Sequence, residues 1–389
     1  MLALSIETSC DDTAVAIVEL DKKTQSIRVV ANMLSSQTAL HAAWGGVVPM
    51  LAAREHSRNI QPLLTAVFAE ATLTPGDIDL VAVTAGPGLI PALVIGVQTA
   101  KTLAYRWHKP LLGIHHIEGH IYANFIGENT TQPDTFPLLA LVVSGGHTQL
   151  IVMRDHFNYE ILGETQDDAV GEAFDKVAKM LGLAYPGGPA VALRASKFQA
   201  SNSNFQKSNS QSDLTLPPRQ NDSVGLVSST DGRGSITLPR PMINSGDYNF
   251  SFSGIKTAVL YALQKQTAET LADENFINAV CGEFQNAVVE VLVSKTKQAI
   301  EEYTPKTVVI AGGVSANVHL REQLAQMISH RFPDTTFLTP EFKYSLDNAA
   351  MIGSAALLRW QQLSDSDKEQ ALATWQTLEP NANLKLQIL

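Results

Sequence analysis

Three histidines fall within six residues in "GIHHIEGHIYANF": His115, His116 and His120. On a helix, His116 and His120 sit one turn apart, their side chains offset by roughly 40° on one face. That spacing suits two ligands of one metal ion. It does not suit a zinc protease. The HExxH motif puts its general base directly after the first histidine, whereas here Ile117 follows His116 and Glu118 comes next. Helical rotation carries Glu118 roughly 200° from His116, off the metal face, and the inverted HxxEH order fails too. A third ligand must come from elsewhere in the chain; a carboxylate would leave open positions for substrate. Spacing does not choose that carboxylate, and histidines that serve packing or capping give the same pattern.

Two small-residue loops offer related chemistry. "ETSCDDTAVAI" puts Asp11 and Asp12 at a hairpin turn. This reads either as a solvated turn or as a phosphate or metal-phosphate loop. "VVSGGHTQL" places Ser144, Gly145 and Gly146 between apolar runs. Paired glycines let backbone approach a ligand closely, although a plain hairpin also uses them. "AGPG" and "AGGVSAN" each follow a strand and open a helix, where free N–H groups favour anions. Neither matches the Rossmann or Walker pattern. Asn317, at the second helix start, reads first as a cap. Glu172 and Asp175 lie on an amphipathic stretch that ends at "YPGG", and read as a solvated face.

The elements that must carry these residues recur. "LALSIET" and "TAVAIVEL" are β-prone runs around a turn, followed by "SIRVVANMLS". A helix is predicted over about 48–71, ending before "TPGDID". From Pro137 the pattern restarts. Aligning Thr13 with Thr148 puts Ser9 on Ser144 and Asp11 on Gly146, with apolar residues matched on both sides. "TVVIAGGVSANVHLREQLAQM" repeats the strand, glycine loop and helix of "LVAVTAGPGLIPALVIGVQTA", with Ala85 on Ala311. An internal duplication is predicted: one lobe over 1–136 and another over 137–389, facing across a nucleotide cleft, with the C-terminal segment packing back on the first lobe. Residues 196–237 are rich in Ser, Asn and Gln, and read as a flexible surface insertion in the second lobe.

The 389 residues are 45% hydrophobic and 17% charged, ordinary for a globular protein of two domains. Two distant cysteines, Cys10 and Cys281, exclude a disulfide scaffold and fit a reducing cytoplasm. No run approaches a membrane span, and the start lacks the pattern of a signal peptide. A net charge of -10 argues against a freestanding non-specific nucleic-acid binder.

Taken together, "IETSCDDT", "HAAWGGVVPMLAAREH", "TAGPGLI", "HHIEGH", "VSGGHTQL", "DDAVGEAFDKVAKMLGL", "YPGGP", "FSFSGIKTA", "AGGVSAN" and "LDNAAMIGSAAL" closely resemble the TsaD family, the tRNA adenosine threonylcarbamoyltransferases, formerly O-sialoglycoprotein endopeptidases. The resemblance covers nearly all of the chain except the insertion. It implies an α/β fold of two duplicated lobes, as in actin, sugar kinases and heat-shock chaperones. It implies transfer of the threonylcarbamoyl group from threonylcarbamoyl-AMP to the exocyclic amine of the adenosine beside the anticodon, in tRNAs reading codons that begin with A, releasing AMP. His116, His120 and Asp347 are then the ligands of one divalent metal per subunit, usually iron, with zinc or magnesium as alternatives. Val142, Val143, Ser144, Gly145, Gly146, Asp175, Gly188 and Asn317 are the substrate contacts. Ala192 stands where many relatives carry an acidic residue. Asp11 is the candidate base or polar orienter. Implied partners are tRNA, a catalytically silent paralogue and a small ATPase. A metal-dependent endopeptidase, a small-molecule kinase of the same superfamily and a non-enzymatic scaffold are the competing readings.

Overall fold

A computed structural model describes residues 1–127, 135–206, 225–227 and 235–386. Its frame is two five-stranded sheets of the same topology. The first comprises β1 (Leu2–Glu7), β2 (Asp12–Leu20), β3 (Ile27–Ser36), β4 (Leu80–Gly86) and β5 (Leu111–His115), in the order β3-β2-β1-β4-β5. Between these strands run helices α1 (Pro49–Ala71) and α2 (Ile90–Trp107), and after β5 comes α3 (His116–Tyr122). The second sheet comprises β6 (Leu138–Val143), β7 (Thr148–Asp155), β8 (Asn158–Glu164), β11 (Thr307–Ala311) and β12 (Thr336–Leu338), in the order β12-β11-β6-β7-β8. In both sheets two antiparallel pairs precede two parallel ones.

The duplication holds at the level of register. The offset that lays Thr13 on Thr148 turns the pair Leu4↔Ile17 into Leu139↔Val152, and Glu7↔Ala14 into Val142↔Gln149. The internal duplication expected from the repeat is therefore present, as two five-stranded sheets of a mixed α/β fold.

Strand alternation explains why both sheets are buried on both faces. In β6, Leu139, Leu141 and Val143 join the core of the second sheet's outer face. Leu138, Ala140 and Val142 point the other way, into a core shared with Ala3, Ala14 and Ala16 of the first sheet. Two helices fill that shared layer: α3, and α8 (Ala349–Gln362), which packs against β1 and β2. Small residues let α8 sit this close. A Cβ added at Gly353 would lie 2.6 Å from Val18 and 2.9 Å from Ser5 Oγ.

Outside the second sheet lie α4 (Val170–Met180), α5 (Gly187–Gln206), α6 (Glu274–Tyr303) and α7 (Val318–Arg331). Among the described residues α6 is the one helix with the length and apolar content of a membrane span. Val280, Phe284, Val288, Leu292 and Ala299 bury that apolar content in the lobe's core.

The predicted insertion is corrected in part. The helix α5 continues through Gln206, and β9 (Gly225–Val227) pairs with β10 (Ser235–Thr237). Ile236 and Leu238 are buried in the core. Low apolar content hid these elements in the sequence, since no periodic apolar stripe marks them. Residues 207–224 and 228–234 lie outside the described residues.

The segment Asn381–Leu384 returns to the first sheet. Asn381 N donates to Ala85 O at 2.8 Å, and His115 Nε2 lies 2.9 Å from Leu384 O. This segment also answers the reading of "AGPG" as an anion site. Gly88 N donates to Ala382 O and Leu89 N to Ser9 O, so those N–H groups are already used.

Candidate metal centre

His116 and His120 stand on α3 with ring centroids 4.6 Å apart. The helix begins where it does because His115 caps it: its side chain accepts from Ile117 N. All seven helical residues are buried. Asp347 comes from the other filling helix, one residue before Asn348, whose side chain caps α8 by accepting from Met351 N at 3.0 Å. Asp347 Oδ1 lies 3.2 Å from His120 Nε2 and 3.5 Å from His116 Nε2. Ligand atoms about 2.1 Å from a common metal stand about 3.0–3.4 Å apart; the two carboxylate–imidazole separations are close to that, and all three ligand atoms lie within 4.8 Å of one another. Their chemistry, two imidazoles and a carboxylate, also fits.

The electrostatics point the same way. Neither ring nitrogen of His120 makes a hydrogen bond, although both are shut off from solvent. Its Nε2 is close to Asp347 but poorly aligned as a donor. Such an orphaned pair is costly unless something ligates it. Behind His116, Glu7 Oε2 sits 3.1 Å from Nδ1, and Ser9 Oγ 3.2 Å from the same atom. Burial disfavours charge on His116, but the Asp347 and Glu7 carboxylates prevail and hold its pKa at about 9. Burial works against ionised Asp347 too, yet the His116 charge keeps its carboxyl far below the usual range. Burial instead depresses His120. The pocket thus asks for positive charge between its carboxylates, which a divalent cation supplies.

The other predicted residues divide into groups. Gly145, Gly146 and Gly188 are open: a Cβ added at any of them meets nothing within 4 Å. Ser144 shapes its own loop, its O accepting from Gly171 N at 3.1 Å and its Oγ from His147 N at 3.1 Å. Val142 and Val143 are fully buried, main chain included. Asp175 is not simply a solvated helix face. Its Oδ1 accepts from Gly187 N at 2.7 Å, and burial, with Asp11 also contributing, raises its pKa. Asn317 caps α7 through Leu320 N and donates to Gln285 Oε1 at 2.9 Å. These bonds give it a structural task.

Sequence reasoning missed Glu7 and His147. Glu7 ends a strand of otherwise uncharged, buried residues, and that is the signal that could have found it. Burial lowers the pKa of His147 to about 4, and the charges of His116, His120 and Asp347 act on it. It also lines, with His115, Ile117 and the returning C-terminal segment, a hollow of about 350 Å³.

The family model of tRNA N6-adenosine threonylcarbamoyltransferase matches residues 28–221 and 215–354. The chain belongs to this family.

The curated relatives agree. A tRNA N6-adenosine threonylcarbamoyltransferase of Bacillus licheniformis is 42% identical over 93% of this chain and 93% of its own length. That of Bacillus subtilis is also 42% identical, over 93% and 91%. A Staphylococcus aureus enzyme is 41% identical over 93% and 92%. Among solved structures, a ROK family glucokinase from Streptomyces griseus aligns over 92% of this chain and all of its own, at 12% identity and a TM-score of 0.43. Membership makes the chain a transferase that modifies tRNA.

Proposed function

We propose that the chain transfers the threonylcarbamoyl group of threonylcarbamoyl-AMP to the exocyclic amine of the adenosine next to the anticodon. The tRNAs are those reading codons that begin with A. The amine nitrogen attacks the carbamoyl carbon, the bond from that carbon to the phosphate oxygen breaks, AMP leaves with the electron pair, and the amine loses a proton. The observation that carries this reading is the convergence of His116, His120 and Asp347 in a chain that matches the threonylcarbamoyltransferase family model.

His116, His120 and Asp347 would hold the cation, iron in our reading, with zinc or magnesium as the alternatives to test. Once bound, a divalent ion supplies Lewis-acid charge to a phosphate or carbonyl oxygen. The chain's own residues do the rest. Glu7 and Ser9 orient the His116 ring. The bare Gly145 and Gly146 leave room for main-chain N–H groups to approach an anion. Asp175 shapes the Gly187–Gly188 turn that presents the open Gly188 face. Asp11 is the residue we assign to orient the amine or take its proton. An adenine amine is a weak nucleophile, so positioning must supply much of the rate. A peptidase reading has no base here: Glu118 is paired with Arg359 instead.

Reconstitution with threonylcarbamoyl-AMP and unmodified tRNA tests the reading, with mass analysis of the nucleosides. We expect modified adenosine from the native chain and its loss in His116→Ala, His120→Ala and Asp347→Ala. Product undiminished in all three variants would refute it. We further propose, given the net charge of -10, that a silent paralogue and a small ATPase share the tRNA contact in the cytoplasm. tRNA affinity unchanged by removing them would count against that.

A further inference from the structure

We propose that the buried pair Glu118–Arg359 is a positioning device that sets the separation of the metal ligands, an inference that rests on the metal reading of the triad. Its basis is how α3 is held. A helix of seven residues has little stability of its own, so its neighbours must fix its direction. The neighbour that does so is α8, the same helix that carries Asp347 just before its cap.

Four contacts run along α8. At its start, Asp347 meets both histidines. One turn on, Gly119 packs so close that an added Cβ would lie 2.7 Å from Ile352 Cδ1 and 3.1 Å from Met351 Cγ. Next, Ser354 Oγ donates to Tyr122 O at 3.0 Å. At the far end, Arg359 pairs with Glu118, whose side chain is 2% exposed. Glu118 lies on the face of α3 turned from the histidines, as the helical rotation requires. Arg359 is itself fixed, its guanidinium 4.7 Å from the Phe157 ring centroid.

His115 caps the start of α3, its Nδ1 accepting from Ile117 N at 3.1 Å. The Glu118 carboxylate thus ties α3 to the far end of α8. Since two ligands ride on α3 and the third on α8, the pair governs the gap between them. Neither Glu118 Oε2 nor Arg359 Nε has a further partner, so each charge depends on the other.

The test reads metal binding rather than turnover. Co²⁺ affinity by chelator competition and the Co²⁺ d–d absorption band are measured on the full chain. The panel is wild type, Glu118→Gln, Arg359→Met, the double variant and His116→Ala. Leu324→Ala, a buried change in the second lobe, serves as a control for general destabilisation. We expect at least tenfold weaker affinity and an altered band in both single variants. The double variant, freed of an unpaired buried charge, keeps the fold and retains the metal defect even if a single variant fails to fold. Leu324→Ala, melting earlier, should bind Co²⁺ as wild type does. Affinity within twofold of wild type and an unchanged band in Glu118→Gln, or in the double variant, overturn the proposal. An equal loss of affinity in Leu324→Ala does so too. Wild type that binds no better than His116→Ala would sink the metal reading itself, and the pair's role with it.

Discussion

Glu7 and His116, more than a hundred residues apart, meet at 3.1 Å between Oε2 and Nδ1, while the opposite ring nitrogen faces Asp347. The carboxylate is held in turn by Thr84 Oγ1 and Ser9 N, each at 2.5 Å. An imidazole that donates from Nδ1 to a carboxylate presents a bare Nε2 lone pair to a metal, and the carboxylate raises its basicity.

Glu7→Gln is therefore expected to weaken metal binding by about 10–100-fold, the usual cost of losing such an outer partner. Chelator competition measures it. Glu7→Asp, which keeps the charge on a shorter arm, should recover part of the loss. Equal affinity in wild type and Glu7→Gln would mean that Glu7 serves packing alone.

Removing the ion should cost stability as well as activity. A ligand at a hundred times its Kd stabilises the native state by about 2.7 kcal/mol. A chelator should thus lower the melting temperature of the metal-loaded wild type. It should leave Asp347→Asn almost unmoved, since that variant loses a charged ligand. Scanning calorimetry with and without chelator reads both.

Much of this architecture is legible in the amino-acid sequence. The offset joining Thr13 to Thr148 matches the pairing of β1 with β2 and of β6 with β7 residue by residue, because register in a buried sheet is written in its apolar alternation. The helical spacing of His116 and His120 names a metal face and excludes a protease base. Asp347 lies beyond the reach of spacing. It joins the site only because α8 folds back between the sheets, and only family resemblance points to it. Glu7 is within reach. The same offset lays it on Val142, so one copy of the repeat carries a charge where the other is apolar. Asn317 runs the other way, since capping, the default for an asparagine at a helix start, is the role that its bonds to Leu320 and Gln285 express.

His56 gives a pH prediction away from the ligands. It lies on α1, its Nδ1 2.7 Å from Thr13 Oγ1 and its Nε2 3.0 Å from Cys10 O, tying that helix to the first hairpin loop. Burial lowers its pKa, against the pull of the Cys10 carbonyl. The unfolded chain then binds a proton near pH about 6.5 that the folded chain resists, so stability rises with pH through this range. The contribution is present above about 6.5 and is lost as the pH falls. Urea midpoints should drop between pH 7.5 and 5.5 in wild type. The drop should be smaller in His56→Gln, whose amide does not titrate. An identical drop in both would assign the acid sensitivity to other groups.

Gly86 supplies the last prediction, on the C-terminal segment. Its φ is +154°, and a Cβ there would lie 1.9 Å from Asn381 O and 3.0 Å from Leu384 Cβ. The first of these neighbours is backbone, so it cannot rotate aside. Gly86→Ala must therefore push the returning segment away from β4, breaking the bonds of Asn381 N to Ala85 O and of Gly88 N to Ala382 O. Overpacking of this kind costs about 1–3 kcal/mol, and here the strain has a local outlet. Hydrogen exchange at the Asn381 and Gly88 amides should accelerate, while the amides of β1 and β6 stay protected. Releasing the segment also opens one wall of the hollow beside His147. Unchanged exchange at both amides would show that the segment is held by contacts other than this close approach.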